Sequence, residues 1–156
     1  MTLDPAERHR ARERAVQWLY QWELSGLDLD DVLSREHQVE IHAPDRERDA
    51  WAVGLVRGTA RELHRIDPLI TQHATNWRIE RMAVVDRVIL RLGVYELLVT
   101  DTPPAVVIDE AVELARTFSA DQAVAFVNGV LDAVHRGLTA TPDRAADGAP
   151  AGGQGS

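Results

Sequence analysis

Residues 80–100 read ERMAVVDRVILRLGVYELLVT. Wound as a helix, this segment is apolar on nearly every side: Val84, Val85, Val88, Ile89, Leu90, Leu92, Val94, Tyr95, Leu97 and Leu98. A helix apolar all round is one that other helices surround. Asp86, Arg87, Arg91 and Glu96 mark it as a core helix and not a membrane span. Its β-branched content also suits a strand, but its length does not. Gly93 costs helix stability, which points to close packing against a neighbour. Arg87 and Arg91, four apart, are expected in half-buried ion pairs with Asp86, Glu96 or neighbouring helices.

The flanking sequence also reads at the helical period, and strand signals are weak. A first helix is expected over residues 5–24, with Asp4 as its cap, Pro5 at its first position and Ser25-Gly26 ending it. Ala11, Ala15, Trp18 and Trp22 form its inward stripe, which turns the neighbouring arginines outward. A short helix follows over 30–36. A third starts near Pro44-Asp45 and carries Trp51, Ala52, Leu55 and Leu63 on one side. Gly54 and Gly58 share a face of it, where another helix can approach. Ile66-Asp67-Pro68 is expected to break or kink it, leaving a short piece over 68–73.

After the break at Thr102-Pro103-Pro104, a helix over 105–118 turns Ile108, Ala111, Val112, Ala115 and Phe118 inward. Ser119-Ala120-Asp121-Gln122 is a capping-box pattern. The last helix buries Phe126, Val127, Val130, Leu131 and Val134 and ends near Gly137. The expectation is an all-α protein of about seven helices around residues 80–100. A helical domain spans 1–138, and an Ala-, Gly- and Pro-rich tail over 139–156 is expected to be disordered.

Composition narrows the function. At 156 residues the chain is of one-domain size, and it has no cysteine, which excludes thiolate zinc sites, disulfides and a cysteine nucleophile. All 17 bases are arginine, so lysine Schiff-base chemistry is excluded. No uncharged apolar run approaches the length of a membrane span, and the N-terminus has no signal-like apolar region, so a cytoplasmic protein is expected. The six histidines show no HExxH spacing. The segment 28–31 lacks the glycine and distal glutamate of a calcium loop. Gly54-x-x-x-Gly58 has no following lysine to make a phosphate loop. Asp109 and Glu113 read as a solvated face rather than a catalytic pair. No cofactor, metal or enzyme activity is expected.

The net charge of −8 argues against indiscriminate attraction to nucleic acid. Yet Arg8-His9-Arg10-Ala11-Arg12-Glu13-Arg14 concentrates four arginines against one glutamate. Arg8 and Arg12 share a helix face, as do Arg10 and Arg14. Such a ridge can neutralise several phosphates. The alternative is a solvated face paired with Glu7 and Glu13. Basic residues early in a helix oppose its dipole, which favours a use for them. Tyr20 lies off the apolar stripe and is a candidate to stack on an unpaired base, or else packs in a groove. Arg78 and Arg81 are candidates to extend a basic surface.

Three blocks carry a family resemblance: RHRARERAVQWLYQWELSG at 8–26, NWRIERMAVVDRVILRLGVYELL at 76–98, and PPAVVIDEAVELARTFSADQAVAFVNGVLDAV at 103–134. Over about residues 8–135 the chain resembles the NusB family of bacterial transcription antitermination factors. The resemblance implies two small helical bundles. It implies binding of the single-stranded boxA element of nascent ribosomal RNA. It implies a heterodimer with the small-subunit ribosomal protein NusE, acting with NusA, NusG and RNA polymerase. Carried over, the arginine-rich motif falls on Arg8, His9, Arg10 and Arg12; Arg14 joins it by charge pattern.

His9 stands where relatives are often basic, so its charge depends on pH. Tyr20 matches the family tyrosine near the RNA and partner surface, and Phe126 the phenylalanine at the edge of that surface. Val124 and Ala125 depart from the polar or basic residues often found before that phenylalanine. Some family members form homodimers that cover the RNA site. The competing reading is a helical interaction module, or a homodimer, whose basic first helix binds an acidic protein. A NusB-like domain also precedes the catalytic domain of certain ribosomal RNA cytosine methyltransferases, but no methyl-donor loop follows in these residues.

Overall fold

The computed structural model describes residues 3–36 and 45–153, and all their regular structure is helical. The order is α1 (Pro5–Ser25), α2 (Leu29–Glu36), α3 (Asp45–Arg61), α4 (Leu63–His73), a 3-10 turn (Ile79–Arg81), α5 (Val84–Val99), α6 (Pro104–Phe118) and α7 (Asp121–Gly153). Pro44 lies outside the described residues.

The central position of α5 is as expected. It packs against α1 and α3 and also against α4, α6 and α7. Val88, Ile89, Leu90, Leu92 and Val94 are all buried, so the two helix groups share α5 and one continuous apolar core. Gly93 permits this packing: a β-carbon there would lie 2.8 Å from Leu131 Cδ1. Gly58 of α3 does the same for Tyr95, whose ring occupies the space a side chain would need. Gly54 does not, since nothing lies within 4 Å of its would-be β-carbon.

The start of α1 forms a full capping box. Asp4 Oδ1 accepts from the Glu7 amide at 2.8 Å, and Glu7 Oε2 accepts from the Asp4 amide at 3.3 Å. Gly26, at φ 70°, ends the helix in the left-handed region that glycine enters freely. The buried stripe is wider than expected and includes Arg12, Val16 and Leu19, while Trp22 is half-buried.

Four local expectations are corrected. The helix break falls at Glu62, not at Ile66–Pro68. Pro68 sits inside α4 on its exposed side, where water can take the carbonyl it leaves unpaired. Ser119 is the C-cap of α6, and its hydroxyl donates to Asp86 of α5 instead of capping α7. The inward face of α6 is rotated toward Val107 and Leu114, which are buried with Ala111 and Ala115. Finally, α7 does not end near Gly137. That residue keeps a helical φ, and its missing β-carbon makes room for His73, whose Nε2 would lie 3.1 Å away. The backbone is helical to Gly153.

Arg87 and Arg91 pair with neighbouring helices, as the sequence suggested. Both reach Glu23 of α1, and Arg91 also grips Asp67 of α4 through Nε and Nη2, each at 2.9 Å. Arg87 Nη1 donates to the Ile79 carbonyl at 3.0 Å, tying the 3-10 turn to α5. No described helix is long and apolar enough to cross a membrane.

Candidate nucleic-acid interface

The arginines of α1 do not form one ridge. Arg12 falls on the buried stripe, three and four residues before Ala15 and Val16, and is 2% exposed. Its Nε and Nη2 donate to the two carboxylate oxygens of Glu96, both at 2.8 Å, and Glu96 is equally buried. The guanidinium also lies 5.0 Å from the centre of the Trp51 ring. Every face of Arg12 is thus occupied by protein. The expectation that the stripe turns the arginines outward is corrected for this residue. A bidentate carboxylate on the facing helix draws it inward.

The other arginines differ. Arg8 is half-buried and lies 5.9 Å over the same Trp51 ring. Arg14 lies 5.3 Å over Trp18. Arg10 is exposed and has no ion-pair partner among the described residues. Trp51 therefore carries two arginines of the motif, a role that its place on the apolar side of α3 did not suggest.

His9 faces carboxylates. Its Nδ1 lies 2.5 Å from Glu110 Oε2 on α6, and its Nε2 lies 3.7 Å from Glu13. Arg12 Nη1 approaches the same Glu110 oxygen at 3.9 Å. A carboxylate only accepts, so the imidazole donates to Glu110.

Tyr20 is 39% exposed near the C-terminal end of α1. It borders a groove of about 340 Å³ with Leu24, Leu27 and Val32. Phe126 lies in a different groove, of about 590 Å³, between the 3-10 turn, the start of α5 and the start of α7. The helices α1 and α5 run antiparallel, since residue 12 meets 96 and residue 23 meets 87. Arg10 and Arg12 thus sit toward the C-terminal end of α5, and Phe126 toward its N-terminal end. The structure gathers Arg8, His9 and Arg12 against Trp51 and Glu110, turns Arg10 outward, and leaves Phe126 roughly two to three turns of α5 away. Val124 is half-buried and Ala125 is exposed on the first turns of α7. Arg78 and Arg81 are exposed and adjoin in sequence the groove residues Trp77 and Met82, but neither lines the groove. Asp109 and Glu113 lie on the exposed face of α6, where Glu113 pairs with Arg116.

Comparison with known proteins gives one consistent result. The NusB family model matches residues 9–136. The transcription antitermination protein NusB of Solibacter usitatus is 49% identical over 131 residues, covering 84% of this chain and 90% of that protein. NusB of Streptomyces avermitilis is 48% identical over 130 residues, covering 81% and 89%. Among solved structures, T. maritima NusB aligns with a TM-score of 0.75 at 34% identity, covering 87% and 93% of the two chains. A chain from a crystal structure of antitermination factors NusB and NusE in complex with double-stranded RNA aligns with a TM-score of 0.74 at 30% identity, covering 86% and 99%. The chain belongs to the NusB family of transcription antitermination proteins.

Proposed function

We propose that this chain binds the single-stranded boxA element of nascent ribosomal RNA through the N-terminal half of α1, in a heterodimer with the ribosomal protein NusE. The observation that carries this reading is the state of Arg10. It is exposed and without an acidic partner among the described residues, on a helix whose inward arginine is locked to Glu96. Arg10 is positioned for a phosphate, with Arg14 on the same face of α1, while Arg8 sits on Trp51. Arg12 acts as a positioning residue, fixing the rotation of α1. The similarity to a NusB chain solved with NusE and RNA supports the choice of partners.

Phosphate contacts on α1 set affinity and register, and bases are read by neighbouring groups. NusE docks on the apolar groove that Tyr20 borders, at the other end of the same helix. The pair then acts with NusA and NusG on RNA polymerase in the cytoplasm. The acidic remainder of the surface limits indiscriminate RNA binding.

The test is RNA binding by the full chain, with and without NusE, using a boxA oligonucleotide and a scrambled one. Tighter boxA binding in the presence of NusE is expected. Arg10→Ala should weaken it and lower the slope of log affinity against log salt by about 0.7, the loss of one phosphate contact on a single strand. Equal affinity for both oligonucleotides, or no change of slope in Arg10→Ala, refutes the assignment. NusE binding with no RNA binding points instead to a protein-only module.

A further inference from the structure

We propose that Glu23 is a positioning residue for the partner groove: with Arg87 and Arg91 it locks the rotation and register of the C-terminal half of α1, and so fixes how Tyr20 and Leu24 face NusE. The proposal rests on the reading above that NusE docks at the Tyr20 groove. Glu23 is out of place by local rules. The last turn of α1 holds no base, and a carboxylate there opposes the helix dipole. The compensating charge comes from α5. Arg87 Nη2 donates to Glu23 Oε1, and Arg91 Nη1 donates to Glu23 Oε2 at 2.8 Å. The side chains of Glu23, Arg87 and Arg91 are 21, 12 and 16% exposed, so water and salt screen this cluster less than the pairs on the surface.

Neither arginine is free to follow α1 if it moves. Arg91 commits Nε and Nη2 to Asp67 of α4, and Arg87 Nη1 donates to the carbonyls of Ile79 at 3.0 Å and Met82 at 3.4 Å. Glu23 therefore ties α1 to α4, to α5 and to the 3-10 turn at once. The charges along the α1–α5 contact also alternate. α1 brings a cation at Arg12 and an anion at Glu23, and α5 answers with Glu96 and with Arg87 and Arg91. Sliding α1 along α5 by one turn, about 6 Å, separates Arg12 from Glu96 in either direction. Reversing α1 sets like charges against each other. Tyr20 and Leu24, three residues before Glu23 and one after it, are exposed and line the groove with Leu27 and Val32. Their direction follows the rotation of α1 about its axis, which Glu23 sets. A groove whose walls are already held in one arrangement loses less entropy when a partner binds.

The experiment measures NusE binding to the full chain by titration calorimetry, with boxA binding in the absence of NusE in parallel. Glu23→Gln should weaken NusE binding about tenfold, as when the competent arrangement of α1 falls to about a tenth of the population. BoxA affinity without NusE should stay at the wild-type value, because Arg12 and Glu96 hold the other half of α1. Arg91→Lys, whose ammonium cannot grip Glu23 and Asp67 together, should have a similar effect, and the two changes combined should weaken binding little more than either alone. That non-additivity marks action through Arg91, not contact of Glu23 with NusE. Weakened NusE binding in Tyr20→Ala, with wild-type affinity in Glu23→Gln, overturns the positioning role and leaves the groove reading standing. Effects of Glu23→Gln and Arg91→Lys that add in full place Glu23 on NusE itself and overturn it too, as does an equal loss of boxA affinity in Glu23→Gln without NusE. Wild-type affinity in Tyr20→Ala, or no NusE binding by the wild-type chain, refutes the groove reading and the proposal with it. If Glu23→Gln fails to fold by circular dichroism, Arg91→Lys decides alone: wild-type NusE affinity in that variant overturns the proposal.

Discussion

Replacing Glu96 by glutamine should cost the fold far more than any exposed charge would. The side chains of Arg12 and Glu96 are each 2% exposed and share two hydrogen bonds of 2.8 Å. Removing one partner of such a pair strands the other charge out of water, at a cost of about 3–5 kcal/mol. For a chain of this size each kcal/mol lowers Tm by roughly 3 °C, so Glu96→Gln should melt about 10 °C below wild type. Arg12→Ala should lose a similar amount, plus the stacking on Trp51. Removing both charges together, as Arg12→Met with Glu96→Leu, should recover most of the loss, because no unpaired charge remains. Thermal unfolding followed by circular dichroism reads all three. RNA titrations well below Tm supply the second arm. If Arg12 only positions α1, folded Arg12→Ala keeps the wild-type salt slope. A Tm within a degree or two of wild type for Glu96→Gln refutes the burial argument. A slope lowered by about 0.7 in Arg12→Ala puts that guanidinium on a phosphate and refutes the positioning role.

Three further outcomes are expected. Gly58→Ala should destabilise by roughly 1–2 kcal/mol, since overpacking against Tyr95 outweighs the gain in helix propensity. Gly54→Ala on the same helix meets nothing within 4 Å and should stabilise by up to about 1 kcal/mol, and urea unfolding distinguishes the two. Truncation after Thr139 should leave boxA and NusE binding unchanged, and any loss of either refutes the assignment of 139–156 as a dispensable tail.

The fold was legible wherever one helix carries its own pattern. The apolar circumference of α5, the small residue at Gly93 and the cap at Asp4 carry their own signals, and each stands as read. Three of the misreadings share a cause, a partner distant in sequence. Arg12 sits at the border of its stripe, and only a carboxylate 84 residues away turns it inward. Ser119 fits a capping box by spacing, but its hydroxyl donates to Asp86 of α5. Gly137 looks like a stop signal until His73 of α4 is placed against it. Trp77 gave no signal in periodicity, since a residue held out of the core by a turn belongs to no stripe.

In an acidic protein the count of arginines says little about where an anion binds. Most of the cations described here are committed: Arg12 to Glu96, Arg57 to Asp30, Arg87 and Arg91 to Glu23, and Arg116 to Glu113. An incoming phosphate must compete with a carboxylate for each of these. The exposed pairs are cheap to break, since such pairs are worth less than about 1 kcal/mol, whereas the Arg12 pair is not. Arg10, Arg78 and Arg81 present no such competition. The negative surface thus acts as a filter. Arg46 and Arg61 are also exposed and without an ion pair among the described residues, so exposure and lack of a partner narrow the candidates, and within residues 8–14 they single out Arg10.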